Sequence, residues 1–530
     1  MNFQFSNSKN KKSEDTRLRR LGNPALAGGL PRRPANRVSR ILNICNFIPL
    51  VIFAIAAFLR FWKIPQFFNF TLAEEMQAFM SWEQVKHLHK VWIGVSAAYV
   101  KYYYGPGFVY LNALLFRITK DPVILGYFCF LLSMITILSV YYITKNLFDK
   151  KTAIFAMAIY GCSTLINFHD RRFWTPSPVP IITVWMIYSL IKAYKDTRWY
   201  ILTAILIGLS FHIHLQLLLL LFPAAYSLLH NIRKIKISTW AVMIASYLVL
   251  TSPLIIFDIV HNYDNLLMPV RTLLGKQHTE LNSFTLASTV SHTKETFSTL
   301  GRIWFLKLHT TLHDEVILES HFNKTPGNLL LSLLSLFTLF WFFLKNRRPG
   351  YMIFFITLVI IPLSYILYPS YNPEYYLLGF IALMTIVIAY WLRSLPNFVS
   401  ITIVSLFIFA NFLTVVTASG RYGLMVRKQL VQEAMAAIGN RSFALDVDGP
   451  IATDKKYFPY AGWRYLFKAY GRTPTASSID AVFGWIYPDE ISHDKPPLKV
   501  IVVDTITPHY KQHPLAVVRS GVYRAYIFKN

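Results

Sequence analysis

Charge and cysteine are both scarce in this sequence. Only 15% of its 530 residues are Asp, Glu, Lys or Arg, against roughly a quarter in an ordinary soluble protein. The shortfall argues against a water-soluble globule, and it is uneven. Long apolar stretches alternate with short charged punctuation, the pattern of repeated bilayer spans. The three cysteines, Cys45, Cys129 and Cys162, all fall inside apolar stretches with no ligand spacing between them. They read as small buried residues rather than as disulfides or metal ligands. Acidic residues are the scarcer charge, 26 against 53 Lys and Arg, for a net charge of +27. The sequence also has no GxxxxGK[ST] loop, no HExxH pair, no CxxC pair and no GxGxxG turn. Nucleotide hydrolysis and metalloprotease chemistry therefore have no motif here.

What is present is apolar and aromatic: 54% hydrophobic residues and 16% Phe, Trp and Tyr, with a mean hydropathy of +0.40. Eleven stretches are candidates for spans: Ile41–Trp62, Pro122–Ile143, Thr152–Phe168, Val179–Ala193, Tyr200–His212, Leu215–Leu229, Trp240–Phe257, Leu329–Leu344, Met352–Leu367, Tyr376–Leu392 and Val399–Val416. Ahead of Ile41 lies a basic tail with ten Lys and Arg against Glu14 and Asp15. It lacks interleaved aromatics, so it reads as a disordered topogenic tail on the cytoplasmic side rather than a nucleic-acid arm. With that tail inside, the linkers Lys145–Lys151, Lys192–Arg198, Asn231–Lys236, Lys345–Arg348 and Trp391–Leu395 are all cytoplasmic, and each carries Lys or Arg. Gly105–Ile118 is apolar but short. It is read as an interfacial helix on the outer leaflet, because counting it as a span would invert every later loop.

This predicts an all-α polytopic membrane protein of about eleven transmembrane helices, plus a small C-terminal α+β extracytoplasmic domain. The expected organisation is a tail over 1–40, a transmembrane domain over 41–419 with outer loops 63–121 and 258–326, and the C-terminal domain over 420–530. In the last, Leu424–Ile438 reads as an amphipathic helix stopped at Gly439, and Lys499–Asp504 and Tyr523–Phe528 read as strands.

Four constellations converge on the outer face. Thr71-Leu72-Ala73-Glu74-Glu75 follows the first span. Transfer of a sugar from a phosphate to a hydroxyl needs one base and no matching acid, because phosphate leaves unprotonated. Thr71-x-x-Glu74 is equally a helix capping box, which would place Glu75 alongside Phe79 and Trp82. The second is His169-Asp170-Arg171-Arg172-Phe173-Trp174. Its Arg pair suits phosphate oxygens, and positive-inside bias disfavours it on this side, although two basic residues beside an interfacial Trp can simply anchor a helix end. The third, His212-Ile213-His214, has i, i+2 spacing and so does not form a metal pair on one helix face. A phosphate contact and a satisfied helix-junction histidine both remain open. The fourth is Glu374-Tyr375-Tyr376, where tyrosines also suit the aromatic belt. Lys101, ahead of Tyr104-Gly105-Pro106-Gly107, adds a cation.

In that order and on that face, these motifs resemble the GT-C superfamily of membrane glycosyltransferases over roughly Ile41–Leu392. Further shared residues are Tyr110, Asp121-Pro122, Pro176-Ser177-Pro178, Gly208-Leu209, Gln216, Pro253, Asp258, His261 and Asn265. The particular likeness is to the dolichyl-phosphate-mannose protein mannosyltransferases and the lipid A aminoarabinose transferases. The resemblance implies an inverting transfer from a polyprenyl-phosphate sugar to an acceptor hydroxyl, with Glu74 or Glu75 as base. It puts Arg172, Arg171, His214, His212, Lys101 and Tyr376 around the lipid phosphate or donor, and Asp170, Trp174, Glu374 and Tyr375 at an acceptor or structural rim. The family commonly has Asp, often Asp-Glu, where this chain has Ala73-Glu74-Glu75.

The expected partners are the bilayer, a polyprenyl-phosphate sugar donor, and a protein, lipid or glycan acceptor, with no nucleic acid. The sugar donor is a substrate and no cofactor is implied. The outer carboxylates lack a metal-ligand spacing, which leaves a divalent metal open. The expected location is a prokaryotic cell (inner) membrane, with the N-terminus cytoplasmic. A polytopic transporter and an inactive relative of the same fold are the competing readings.

Overall fold

A computed structural model describes residues 35–70, 72–87, 90–97, 102–274, 285–306, 326–368, 373–420, 423–448, 462–492, 495–503, 510 and 512–530. Thr71 and Lys101 lie outside these residues. The chain divides into two units, 1–48 and 49–530. The first contributes helical backbone from Ala35, and the second holds the remaining elements.

In chain order the helices and strands are α1 (Ala35–Phe61), α2 (Ile64–Phe67), α3 (Leu72–His87), β1 (Ser96–Ala97), β2 (Tyr102–Tyr103), α4 (Gly107–Phe116), α5 (Val123–Leu147), α6 (Lys150–Cys162), α7 (Thr164–Asp170), α8 (Val179–Ala193), α9 (Trp199–Ile213), α10 (Leu221–Asn231), α11 (Ile237–Val260), α12 (Asp264–Leu273) and α13 (Leu286–Trp304). They continue with α14 (Leu329–Lys345), α15 (Pro349–Ile366), α16 (Leu378–Ser394), α17 (Asn397–Thr417), α18 (Leu424–Ile438), β3 (Phe443–Asp448), α19 (Trp463–Tyr470), β4 (Ala476–Ser477), β5 (Leu498–Val503), β6 (Ala516–Ser520) and β7 (Tyr523–Lys529).

Each of the eleven apolar stretches coincides with helix. By length and apolarity together, six segments among the described residues can cross a bilayer: Val123–Leu147, Leu215–Lys234, Ile237–Val260, Pro349–Ile366, Glu374–Ser394 and Asn397–Thr417. The bent pair α6–α7 makes a seventh, while Phe47–Phe61, α8, α9 and α14 are apolar but shorter. Burial separates centre from perimeter. Helix α16 is buried from Leu378 through Ala389, whereas α11 and α17 expose large apolar side chains such as Val249, Ile259, Phe398 and Phe409. Apolar surface on that scale belongs against lipid, so the protein is an integral membrane protein.

The bend between α6 and α7, 65°, is met by partners from other helices. The Asn411 side chain of α17 accepts the Thr164 N–H at 2.8 Å, and the Ser163 hydroxyl donates to the Ile303 carbonyl at 2.8 Å. Borrowed side-chain partners satisfy a helix break that apolar surroundings would otherwise penalise. The break turns α7 so that it delivers His169–Trp174 to the end of the bundle.

That delivery is locked by an interior ion pair. Arg60, at the end of α1, is 1% exposed and donates through Nη2 and Nε to Asp170 Oδ2 at 2.7 and 2.9 Å. The Ser133 hydroxyl donates to the same oxygen at 2.6 Å, and Nη2 also donates to the Tyr160 carbonyl at 3.2 Å. Of the two roles the sequence left open for Asp170, acceptor or structural rim, these contacts are of the structural kind. Asp170 is a strut between the first span and α7, because a guanidinium at that depth requires a carboxylate partner.

From Leu424 the chain forms a five-stranded sheet in the order β4-β3-β5-β7-β6. Strand β3 lies parallel to β4 and β5, and β7 runs antiparallel to β5 and β6. Leu498, Val500 and Val502 alternate inward along β5, and the buried Leu430, Val431 and Ala434 of α18 pack in the same core.

Asp170→Ala should strand the Arg60 charge in the bundle and cost about 3–5 kcal/mol. Replacing Arg60 and Asp170 together by Leu should cost markedly less. Unfolding of the detergent-solubilised protein, followed for both variants, checks the difference.

Candidate active site

Helix α3 begins the site. Its first turn carries Glu74 and Glu75, both fully buried. Successive helical residues point about 100° apart, and these two carboxylates serve different partners. Glu74 Oε1 lies 3.4 Å from Arg172 Nε, with the arginine side chain 10% exposed. Arg172 lies over the Trp174 ring, its guanidinium carbon 4.0 Å from the centroid. The Ser177 hydroxyl donates to the Arg172 carbonyl and accepts the Trp174 N–H at 3.1 Å, which fixes the loop between them. Phe173 anchors the same loop against Phe108 and Phe128.

An aromatic wall continues from Trp174. Its ring meets Tyr375 edge-on at 4.2 Å, Tyr375 meets Tyr376 at 4.7 Å, and Tyr376 meets His214 at 5.3 Å. His214 then stacks on Tyr104 at 5.8 Å. His214 Nδ1 accepts the Gln216 N–H at 3.3 Å, so the neutral ring carries its proton on Nε2. Burial holds the imidazole neutral by pushing its pKa down to about 3. The structure thus gathers Glu74, Arg172, Trp174, Tyr375, Tyr376 and His214 around one end of the bundle.

The other candidates are not in that cluster. His212 is a tie: Nδ1 accepts the Gly107 N–H at 3.2 Å while Nε2 lies 2.7 Å from the Leu250 carbonyl. Both nitrogens are engaged, so it holds the start of α4 to α11 and leaves no nitrogen for a phosphate. Arg171 is buried with its guanidinium 4.8 Å from the Phe67 ring, and Nη2 donates to the Leu59 carbonyl. Glu374, expected at the rim, is 2% exposed and pairs with Arg302 Nη2 at 2.7 Å, while the Thr299 hydroxyl donates to it at 2.6 Å. It therefore ties α13 to the turn before α16. Among the described residues no group of three or more His, Cys, Asp or Glu could hold a metal ion.

Glu75 turns away from the cluster toward the C-terminal region. Its two oxygens accept the Gly462 and Tyr465 N–H groups at 2.8 and 2.9 Å, at the start of α19. On the same helix Phe79 meets Tyr465 and Tyr487, and Trp82 meets Phe116. Burial raises the carboxyl pKa to about 7, opposed by the two backbone bonds and by Arg464 and Arg427. Sequence reasoning missed Glu75's partners because they lie 387 and 390 residues away.

Part of the sequence and the fold as a whole are similar to those of known proteins. A sequence model of the dolichyl-phosphate-mannose-protein mannosyltransferase family matches residues 104–257. The fold is similar to that of ArnT from Cupriavidus metallidurans bound to undecaprenyl phosphate, with a TM-score of 0.57 at 11% identity, covering 92% of this chain and 98% of that one. The apo state of ArnT aligns at a TM-score of 0.57 and 10% identity, over 93% and 98% of the two chains. The archaeal oligosaccharyltransferase AglB from Archaeoglobus fulgidus, in complex with an inhibitory peptide and a dolichol-phosphate, aligns at 0.46 and 12%, over 88% of this chain and 70% of that one. No curated protein matches by sequence. The chain has a GT-C glycosyltransferase fold and resembles the mannosyltransferase and aminoarabinose transferase group within it.

The engagement of His212 and Glu75 has measurable consequences. A methyl group on Gly105 would overlap the His212 ring, so Gly105→Ala should destabilise by about 1–3 kcal/mol. Adding His212→Ala should recover part of that loss, which a double-mutant cycle on thermal unfolding measures. For Glu75, the folded state holds its proton more tightly than the unfolded state, whose pKa is 4.5. Its contribution is therefore complete below pH 4.5 and declines as pH rises to about 7. Glu75→Gln should flatten that part of the stability profile, measured by denaturant titration at each pH.

Proposed function

We propose that the protein transfers a sugar from a polyprenyl-phosphate carrier to an acceptor hydroxyl at the extracytoplasmic face, with inversion, and that Glu74 is the base. The observation carrying this reading is the buried Glu74–Arg172 pair beside the wall of Trp174, Tyr375, Tyr376 and His214. Glu74, rather than Glu75, suits the role because it faces Arg172, whereas Glu75 faces the start of α19.

In the proposed step the acceptor hydroxyl gives its proton to the Glu74 carboxylate. Its oxygen forms a bond to the anomeric carbon from the face opposite the phosphate. The carbon–oxygen bond to phosphate breaks, and its electron pair leaves with the lipid phosphate, which gains one negative charge. Arg172 stabilises that charge, and a planar guanidinium suits phosphate oxygens. Before the donor arrives, Glu74 balances the Arg172 charge. A bound phosphate would draw on the same cation, and moving a proton onto Glu74 then relieves the excess negative charge. The neutral His214 offers one N–H donor, suited to a hydroxyl or a phosphate oxygen. The N-terminus is cytoplasmic in this proposal, and the sheet region from Leu424 lies on the donor's side of a cell (inner) membrane. ArnT was solved with undecaprenyl phosphate, and the same carrier class is proposed here.

The test uses the full chain in proteoliposomes supplied with a polyprenyl-phosphate sugar. Glu74→Gln should lower turnover by about 10²–10⁴-fold with donor binding nearly unchanged. Arg172→Ala should weaken donor binding by roughly tenfold or more, the worth of a charge-assisted hydrogen bond. Full activity in Glu74→Gln would remove it as base, and unchanged donor affinity in Arg172→Ala would remove that residue from the site.

A further inference from the structure

We infer that Glu75 is a positioning residue through which the C-terminal region aims the base. The inference rests on the proposal that Glu74 is that base. Glu75 adjoins Glu74 in the first turn of α3, and its carboxylate accepts two amides at the start of α19. A carboxylate facing a helix N-terminus meets unsatisfied N–H groups and the positive end of the helix dipole. Full burial strengthens both interactions and makes their loss expensive.

The contact is one part of a continuous clamp. Gly462 sits at φ +82°, and a Cβ there would overlap the Phe70 carbonyl. Arg427 of α18 donates to that carbonyl at 2.8 Å and covers the Trp463 ring at 5.2 Å. The Leu424 N–H donates to the Phe68 carbonyl at 2.9 Å, and Tyr470 donates to Asp121 at 2.6 Å beside the Lys428–Asp121 pair at 3.0 Å. Tyr465 lies among Phe70, Phe79 and Phe116. The C-terminal region thus grips Phe68, Phe70, Glu75 and Phe79, while Arg172 meets the adjacent Glu74. Arg172 supplies the pull on Glu74 from the site and Glu75 supplies the hold from behind, so the rotation of this turn is set by both. A shift of about 1 Å in a catalytic group is enough to cost roughly 100-fold in rate.

Glu75→Ala and Glu75→Gln in the full chain decide the matter by two readouts. In turnover assays on a polyprenyl-phosphate sugar, Glu75→Ala should lower kcat by roughly tenfold or more, with KM for the donor within about twofold of the parent. Glu75→Gln keeps the side-chain volume and one acceptor oxygen, so it should fall between the parent and Glu75→Ala. It also serves if Glu75→Ala fails to fold. In hydrogen exchange of the solubilised protein, the amides of Gly462 and Tyr465 and those of 72–87 should exchange faster in the variants, while 378–394 stays unchanged. An unchanged kcat, a raised donor KM at constant kcat, or undiminished protection of 72–87 would overturn the inference. If the parent shows no turnover with any such donor, the proposed reaction fails, and the exchange measurement alone decides whether Glu75 holds α3.

Discussion

Two consecutive carboxylates on one helical turn are the point on which the rest of this structure depends. Glu74 and Glu75 are both fully buried, and an uncompensated carboxylate in that setting would not persist as an anion. The chain meets the requirement twice, in different chemistry. A guanidinium from the loop after α7 answers Glu74, and the amides at the head of α19 answer Glu75. For both to hold, α7 must turn at Ser163, the loop must present Arg172, and the C-terminal region must reach back across nearly the whole sequence. Each of those conditions is itself fixed by a specific contact.

The bundle is held by the same logic. Lipid offers the spans no hydrophobic driving force toward one another, so their association rests on packing and interhelical polar contacts. Arg60 with Asp170, Arg302 with Glu374, Asn411 with the broken end of α7, and His212 with Leu250 and Gly107 are four such contacts. Each joins segments distant in sequence. They explain why a chain with so few charges keeps several of them inside: the partners specify which helices meet and at what height.

Much of the transmembrane architecture was legible because the bilayer imposes a length. An apolar stretch near twenty residues has few other uses; all eleven stretches coincide with helix, and among the described residues six, or seven with the bent pair, are long and apolar enough to cross a bilayer. Leu424–Ile438, with Gly439 after it, and the strands at 499 and 523 were legible from periodicity. Helix α3 was legible only as a possible capping box at Thr71-x-x-Glu74, and helix α13, β3 and β6 were not read from the sequence. In the site, Glu74, Arg172, His214, Trp174 and the two tyrosines were identifiable by residue type at span ends. Asp170, Glu374 and His212 have the same residue types at the same kind of position, yet they are struts. What separates them is the partner, and Arg60, Arg302 and Leu250 lie 110, 72 and 38 residues away. Composition and local spacing carry no record of such pairings.

Water and lipid place different demands on the two parts of the chain, and the contact between them reconciles the demands. The sheet region can use the hydrophobic effect. One buried core runs without interruption from the span residues Leu125 and Ile137, through Phe70 and Phe79, to Tyr465, Leu466 and Val500. A purely apolar joint would allow sliding, since apolar contact is non-directional. The Glu75 carboxylate, the Arg427 bond to Phe70 and the Asp121 contacts add direction. Greasy contact supplies the adhesion and a few buried polar bonds supply the register. The register matters most at α3, because the residue beside Glu75 is the one that faces Arg172.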